Sequence, residues 1–185
     1  MTRAFIGIGS NIAPEENIRA ALRQLTRSVR LVSISTFYRE PAIGRPEDPD
    51  YYNGVVAIDT DLPPAKLKWA VLRQIEAALG RSRSMDKYAA RTIDLDLLLY
   101  GDSVISSHEL TLPDPDILTR AFIAFPLYEI APTLVLPGFG VPVREIVERM
   151  ATEPMKPMHE YTRQLQNDLV VSDKSRTEGE DLGLP

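Results

Sequence analysis

The alternation of apolar and polar positions divides the chain into six successive elements before any chemistry is considered. Residues 3–9 alternate loosely and predict a first strand. Pro14, Glu15 and Glu16 suit the first turn of a helix, and Ile18, Ala21, Leu22 and Leu25 recur at helical spacing as its buried stripe. The β-branched run over 30–38 predicts a second strand, with Leu31, Ser33, Ser35 and Phe37 on one face and Val32, Ile34, Thr36 and Tyr38 on the other. A third strand fits 51–60. Pro63 and Pro64 open a second helix that carries Leu67, Val71, Leu72, Ile75 and Leu79 and stops at Gly80. Residues 92–100 form the strongest strand pattern in the chain.

The order strand, helix, strand, strand, helix, strand predicts an α+β fold. It is the ferredoxin-like βαββαβ plan, an antiparallel sheet with its helices packed on it. Further elements are expected C-terminal to this core. They are a short hairpin around 103–112, an apolar, proline-punctuated segment over 121–137 and a short helix over 141–150. Residues 1–150 are read as one catalytic domain. From 151 the pattern fades, and the proline- and acid-rich remainder, 151–185, is read as a flexible acidic tail.

Composition narrows the function. A net charge of −5 argues against a nucleic-acid partner, and no apolar run reaches the roughly 18 residues of a membrane span. The chain has no cysteine, which removes disulfide, thiolate–zinc and cysteine-nucleophile chemistry and fits a reducing, cytoplasmic setting. Oligomeric state is left open.

Asp94-Leu95-Asp96 carries the sharpest chemical signal. Residues two apart on a strand face the same side, so both carboxylates can share hard cations while Ile93, Leu95 and Leu97 point into the core. An ordinary solvated strand face is the plain alternative, but two neighbouring like charges repel unless a cation or a proton compensates. Directly upstream, residues 81–91 hold Arg81, Arg83, Lys87 and Arg91 against the single acid Asp86. Cations beside carboxylates suit a polyphosphate–magnesium complex, with guanidinium forks on oxygens and carboxylates on the metal. Gly7-Ile8-Gly9 lacks the rest of a Walker A loop or a dinucleotide fingerprint, so it is read as a turn and any nucleotide is held without a P-loop. Neither His108 nor His159 is placed as a convincing base. Both are expected to be exposed.

Lys87-Tyr88-Ala89-Ala90-Arg91-Thr92-Ile93-Asp94-Leu95-Asp96 is the hallmark of a wider resemblance. It is joined by Ile8-Gly9-Ser10-Asn11, Phe37-Tyr38-Arg39-Glu40-Pro41, Asp50-Tyr51-Tyr52-Asn53, and Arg120-Ala121-Phe122 leading into Pro126-Leu127-Tyr128-Glu129. In this order the blocks resemble the 6-hydroxymethyl-7,8-dihydropterin pyrophosphokinases over about residues 4–150. The resemblance implies transfer of pyrophosphate from ATP to the pterin hydroxymethyl group, with release of AMP, in folate biosynthesis. It implies two magnesium ions on Asp94 and Asp96, and phosphate contacts from Arg81, Arg83 and Arg91. Asp94, Asp96, Arg81 and Arg91 form the implied catalytic set. The pterin would stack between Tyr51 and Phe122, be read by Asn53, and be framed by Glu40, Pro41 and Ile43. Glu76, Leu97, Thr111 and Arg120 match the nucleotide side. Glu109 and Asp114-Pro115 depart from the family's pattern by putting acids near the nucleotide. They motivate an alternative, a pterin- or nucleotide-binding module with weak or lost transfer.

Overall fold

A computed structural model describes residues 1–42, 47–81, 90–150 and 155–178, with 171–178 described by backbone alone. The elements run β1 (Thr2–Ser10), α1 (Pro14–Leu25), β2 (Arg30–Ile34), β3 (Tyr38–Glu40), β4 (Tyr51–Thr60), α2 (Pro64–Lys66), a π-helical segment (Leu67–Leu72), α3 (Arg73–Ala78) and β5 (Asp94–Tyr100). They continue with β6 (Ile105–Ser106), β7 (Thr111–Leu112), a 3₁₀ turn (Pro115–Leu118), α4 (Ala121–Ile130), α5 (Val143–Arg149), β8 (Lys156–Pro157) and α6 (His159–Glu178).

The main sheet has the order β5-β1-β4-β3-β8, with β2 also on β4, and every named pairing is antiparallel. Its core lies on both faces. Ile6, Ile8, Val56, Ile58, Leu95 and Leu97 turn one way, into a cluster with α1, the 64–78 helix and α6. Phe5, Val55, Ala57, Leu98 and Leu99 turn the other way and are covered by Ile123, Leu127, Val143 and Ile146 of α4 and α5. Burial on both sides explains why β4 is buried almost throughout rather than at alternate residues. The second face is only half covered. Beyond Val55 and Leu98 it carries Gly7, Gly9, Tyr51, Asn53, Asp94 and Asp96, and this uncovered half is the floor of a cleft.

Three sequence expectations are corrected. The single strand over 30–38 is two strands, because after Ser35, whose N–H still bonds Val55 O of β4 at 2.9 Å, the backbone of Thr36 and Phe37 leaves the ladder for other partners. Thr36 N–H donates to the Glu129 carboxylate at 3.0 Å, and Phe37 N–H donates to Thr162 Oγ1 at 2.9 Å. Gly7-Ile8-Gly9 is not a turn but the second half of β1. Residues 156–170 are not a flexible tail. β8 adds to the sheet beside β3, and α6 seats Tyr161, Leu165 and Leu169 in the core. The three lie at i, i+4 and i+8, a stripe that polar neighbours dilute in the sequence.

Candidate active site

A cavity of about 370 Å³ opens over the uncovered floor, within the size range of small-molecule pockets. It is lined by Gly7 and Gly9 of β1, Glu40 and Pro41 after β3, Tyr51 and Asn53 of β4, Arg91, Asp94 and Asp96 at the head of β5, and Arg120 and Phe122 at the start of α4. A second cavity of about 290 Å³ adjoins it, sharing Asp96 and Asp116 and lined also by Lys68, Leu97, His108, Glu109, Thr111 and Asp114. Asp96 therefore stands at the seam between two compartments.

Strand register aligns the floor. Gly9 is opposite Asn53 on one side and Asp94 on the other, and Gly7 is opposite Val55 and Asp96. A side chain on Gly9 would place its Cβ 2.7 Å from Asn53 Oδ1, so only glycine lets the Asn53 amide lie across the floor. Asn53 donates through Nδ2 to the Glu40 carboxylate, and both residues are buried. A buried carboxylate bonded to an amide leaves the rest of that amide edge as a fixed pattern of donor and acceptor groups for a flat heterocycle. Tyr51 stands beside them, and burial raises its hydroxyl pKa.

The carboxylate end is a charge network. Asp94 accepts from Arg81 through one oxygen and from Arg91 through the other. Arg81 also bonds Glu76, which is buried at 2% exposure and accepts from Arg73 at 2.7 and 2.8 Å and from the Leu95 amide at 2.9 Å. Burial works against the Arg81 charge, but Asp94 and Glu76 outweigh it and raise its pKa. Arg73 reaches toward Asp96, 3.8 Å away. Asp96 shows half of its side chain to the cleft and has the other half enclosed by protein. This burial, with the charge of Asp94 beside it, pushes its pKa up to about 7. Asp114, at the cap of the 3₁₀ turn, is likewise raised by burial.

The cleft brings together Glu40, Pro41, Tyr51, Asn53, Arg91, Asp94, Asp96, Arg120 and Phe122, while Leu97 and Thr111 line the adjoining compartment. Arg81 enters through its bond to Asp94. Glu76 lines neither cavity and lies one layer behind, organising Arg73 and Arg81. Ile43 and Arg83 fall outside the described residues. Both histidines are exposed, His108 on the rim of the second cavity.

Two residues have roles that the sequence reading did not assign, Asn11 being named there only as part of a block. Arg73 supplies a further guanidinium, and its helical spacing to Glu76 was the available signal. Asn11 fixes the segment before β5. Its Oδ1 accepts from Arg91 N–H at 2.7 Å, its own N–H donates to Arg91 O at 3.1 Å, and its Nδ2 donates to Pro49 O at 3.2 Å.

A sheet-floored cleft joining a buried amide–carboxylate pair to paired carboxylates and guanidiniums has the groups a transferase needs for a planar acceptor and a polyphosphate donor. The sequence model of the 7,8-dihydro-6-hydroxymethylpterin-pyrophosphokinase family matches residues 5–132, and the chain belongs to that family. A protein from Haemophilus influenzae named 2-amino-4-hydroxy-6-hydroxymethyldihydropteridine pyrophosphokinase is 40% identical over 84% of this chain and 97% of its own length. One of the same name from Methylorubrum extorquens is 43% identical over 75% of this chain and 88% of its own. Among solved structures, the Plasmodium falciparum HPPK-DHPS wild-type crystal structure matches 80% of this chain with a TM-score of 0.64 at 11% identity. It is a likeness of fold, and the chain spans 44% of that longer protein. Among the described residues no helix is long and apolar enough to cross a membrane.

Proposed function

We propose that this chain transfers the terminal pyrophosphate of ATP to the hydroxymethyl oxygen of 6-hydroxymethyl-7,8-dihydropterin, releasing AMP, as a step of folate synthesis. One observation carries the reading: the buried Glu40–Asn53 pair of β3 and β4 and the Asp94–Asp96 pair of β5 share one cleft floor, with only β1 between them. Strand order supports a ferredoxin-like βαββαβ core, in which β2 and β3 together act as its second strand and α4, α5, β8 and α6 are additions.

Donor and acceptor meet at the seam marked by Asp96. Asn53 and Glu40 orient the pterin edge, and Tyr51 and Phe122 bracket its ring between apolar surfaces. The nucleotide lies toward Leu97 and Thr111, with Lys68 and Arg120 supplying positive charge. As the hydroxymethyl oxygen bonds to the β-phosphorus, the bond from that phosphorus to the AMP oxygen breaks, and the hydroxyl proton is released to solvent. This chemistry asks for alignment and charge stabilisation more than for a strong base. Arg81 and Arg91 both bond Asp94 in the free chain and would turn to the phosphate oxygens when the polyphosphate and its cations take over that carboxylate.

The residues present fit magnesium. Asp94 and Asp96 face the same cleft, and no cluster of three or more His, Cys, Asp or Glu exists among the described residues. A hard cation there would need phosphate oxygens and water to complete its shell, which is the usual manner of magnesium in phosphoryl enzymes. Asp94 and Asp96 would hold two such ions, which when bound would neutralise the phosphates.

The test is AMP release from ATP and magnesium on adding 6-hydroxymethyl-7,8-dihydropterin. The reading predicts AMP equal in amount to the pterin consumed. No pterin-dependent AMP at high protein concentration would reject it.

A further inference from the structure

β3 is three residues long, yet it carries Glu40 and leads directly into Pro41 of the cleft. So short a strand has few ladder bonds of its own to hold it. Immediately before it, Phe37 is fully buried and lies outside the β2 and β3 ladders. Both of its backbone groups are satisfied by the C-terminal segment. Phe37 N–H donates to Thr162 Oγ1 at 2.9 Å, and Phe37 O accepts from Met158 N–H at 2.8 Å. Buried backbone groups of this kind are costly to leave unpaired.

The same segment grips the strand on either side of Phe37. Lys156 and Pro157 pair with Arg39 and Tyr38, and Gln166 Nε2 donates to Ile34 O at 2.8 Å. Packing carries the contact through to the floor. The Tyr161 ring meets the edges of Phe37 and Tyr52 at centroid distances of 5.9 and 6.0 Å. Phe37 in turn lies under Gly54, where an added Cβ would sit 2.9 Å from its ring. Tyr52 and Gly54 are the two neighbours of Asn53. The family's sequence model ends at residue 132, so this support lies beyond the part of the chain that the model matches.

We infer that residues 156–166 are a positioning element for the acceptor half of the site, with Thr162 as its key contact, setting the Glu40–Asn53 geometry that reads the pterin. The inference rests on the functional reading above. Its effect is one-sided, because among the described residues its hydrogen bonds, strand pairing and ring contacts reach β2, β3, β4 and α1 and none of them reaches a residue lining the nucleotide compartment.

The experiment compares the full-length chain with Thr162→Val and Thr162→Ser. Valine keeps the shape and removes the acceptor, whereas serine keeps the hydroxyl. Thr162→Val is expected to raise KM for 6-hydroxymethyl-7,8-dihydropterin about tenfold, with KM for ATP and kcat within about twofold of wild type, while Thr162→Ser stays near wild type. Hydrogen exchange without substrate should show faster exchange at residues 38–40 in Thr162→Val and unchanged exchange in β5. Unaltered pterin KM, equal rises in both KM values, or unaltered exchange at 38–40 would overturn the inference. Wild-type protein that releases no AMP would reject the functional reading and the inference with it.

Discussion

At the β5 end of the cleft, position is set by charge. Asp94 is shared by Arg81 and Arg91, Arg81 and Arg73 converge on buried Glu76, and Asp96 faces the open space. At the β3 end, position is set by backbone hydrogen bonds and packing. Glu40 and Asn53 are buried above Phe37, Tyr52 and Tyr161. The first arrangement can be exchanged when a highly charged ligand brings its own phosphates and cations, because ion pairs are traded for ion pairs. The second changes little, and it offers a preformed mould to a neutral ring. The contrast suits a donor that must be rearranged during reaction and an acceptor that must only be held.

The largest expected effect breaks the charged half. Asp96→Ala should lower kcat/KM about 10³-fold or more in the AMP-release assay. It should not lower the melting temperature, since folding holds that carboxylate in an unfavourable environment. Asp94→Ala should lose as much activity but also about 2 kcal/mol of stability, because it removes one of the two carboxylates paired with the buried Arg81. Equal melting temperatures for the two variants would contradict the division of labour drawn between them.

Asn53→Ala comes next. It removes the amide and leaves the Glu40 carboxylate without it, so pterin affinity measured by calorimetry should fall about 100-fold while ATP affinity is kept. A comparable loss of ATP affinity would erase the distinction between the halves.

A pH series sharpens the comparison at about the tenfold level. Because the Asp96 pKa lies at about 7, the group carries a proton below that pH which a dication must displace. The magnesium concentration for half-maximal rate should therefore rise as pH falls from 8 to 6, with pterin affinity unmoved. The sign for stability runs the other way. The folded pKa is above the ordinary carboxylate value, so the contribution of this group is fully present below about pH 4 and is lost as pH rises through 7. Added magnesium should recover melting temperature at pH 8 and not at pH 5. The smallest expected effect is that of salt. Raising ionic strength from 0.1 to 0.5 M should weaken ATP binding about threefold and leave pterin binding unchanged.

The sequence revealed the charged half better than the neutral one, for physical reasons. Asp94-Leu95-Asp96 on an apolar strand declares its face through two-residue periodicity, and nearby Arg91 is local to it. Glu40 and Asn53 are brought together by strand pairing, and Gly9 matters only because β1 runs beneath Asn53. No local pattern encodes those contacts. The break at 35–37 was hidden for the same reason. The β-branched Val32, Ile34 and Thr36 favour a continuous strand, and the groups that interrupt it come from Glu129 and Thr162, about 90 and 125 residues away. In α6, Tyr161, Leu165 and Leu169 are too sparse among polar neighbours to stand out, although their spacing is helical.

The account turns on Asp94 and Asp96 meeting a metal-bound triphosphate beside the pterin pocket. A crystal structure with magnesium, a non-hydrolysable ATP analogue and 6-hydroxymethyl-7,8-dihydropterin tests this most directly. The expected result is metal density against both carboxylates and the β- and γ-phosphates, with the pterin edge on Asn53. Phosphates seated away from these two aspartates, with Asp94 still closed by Arg81 and Arg91 and no metal at Asp96, would contradict it.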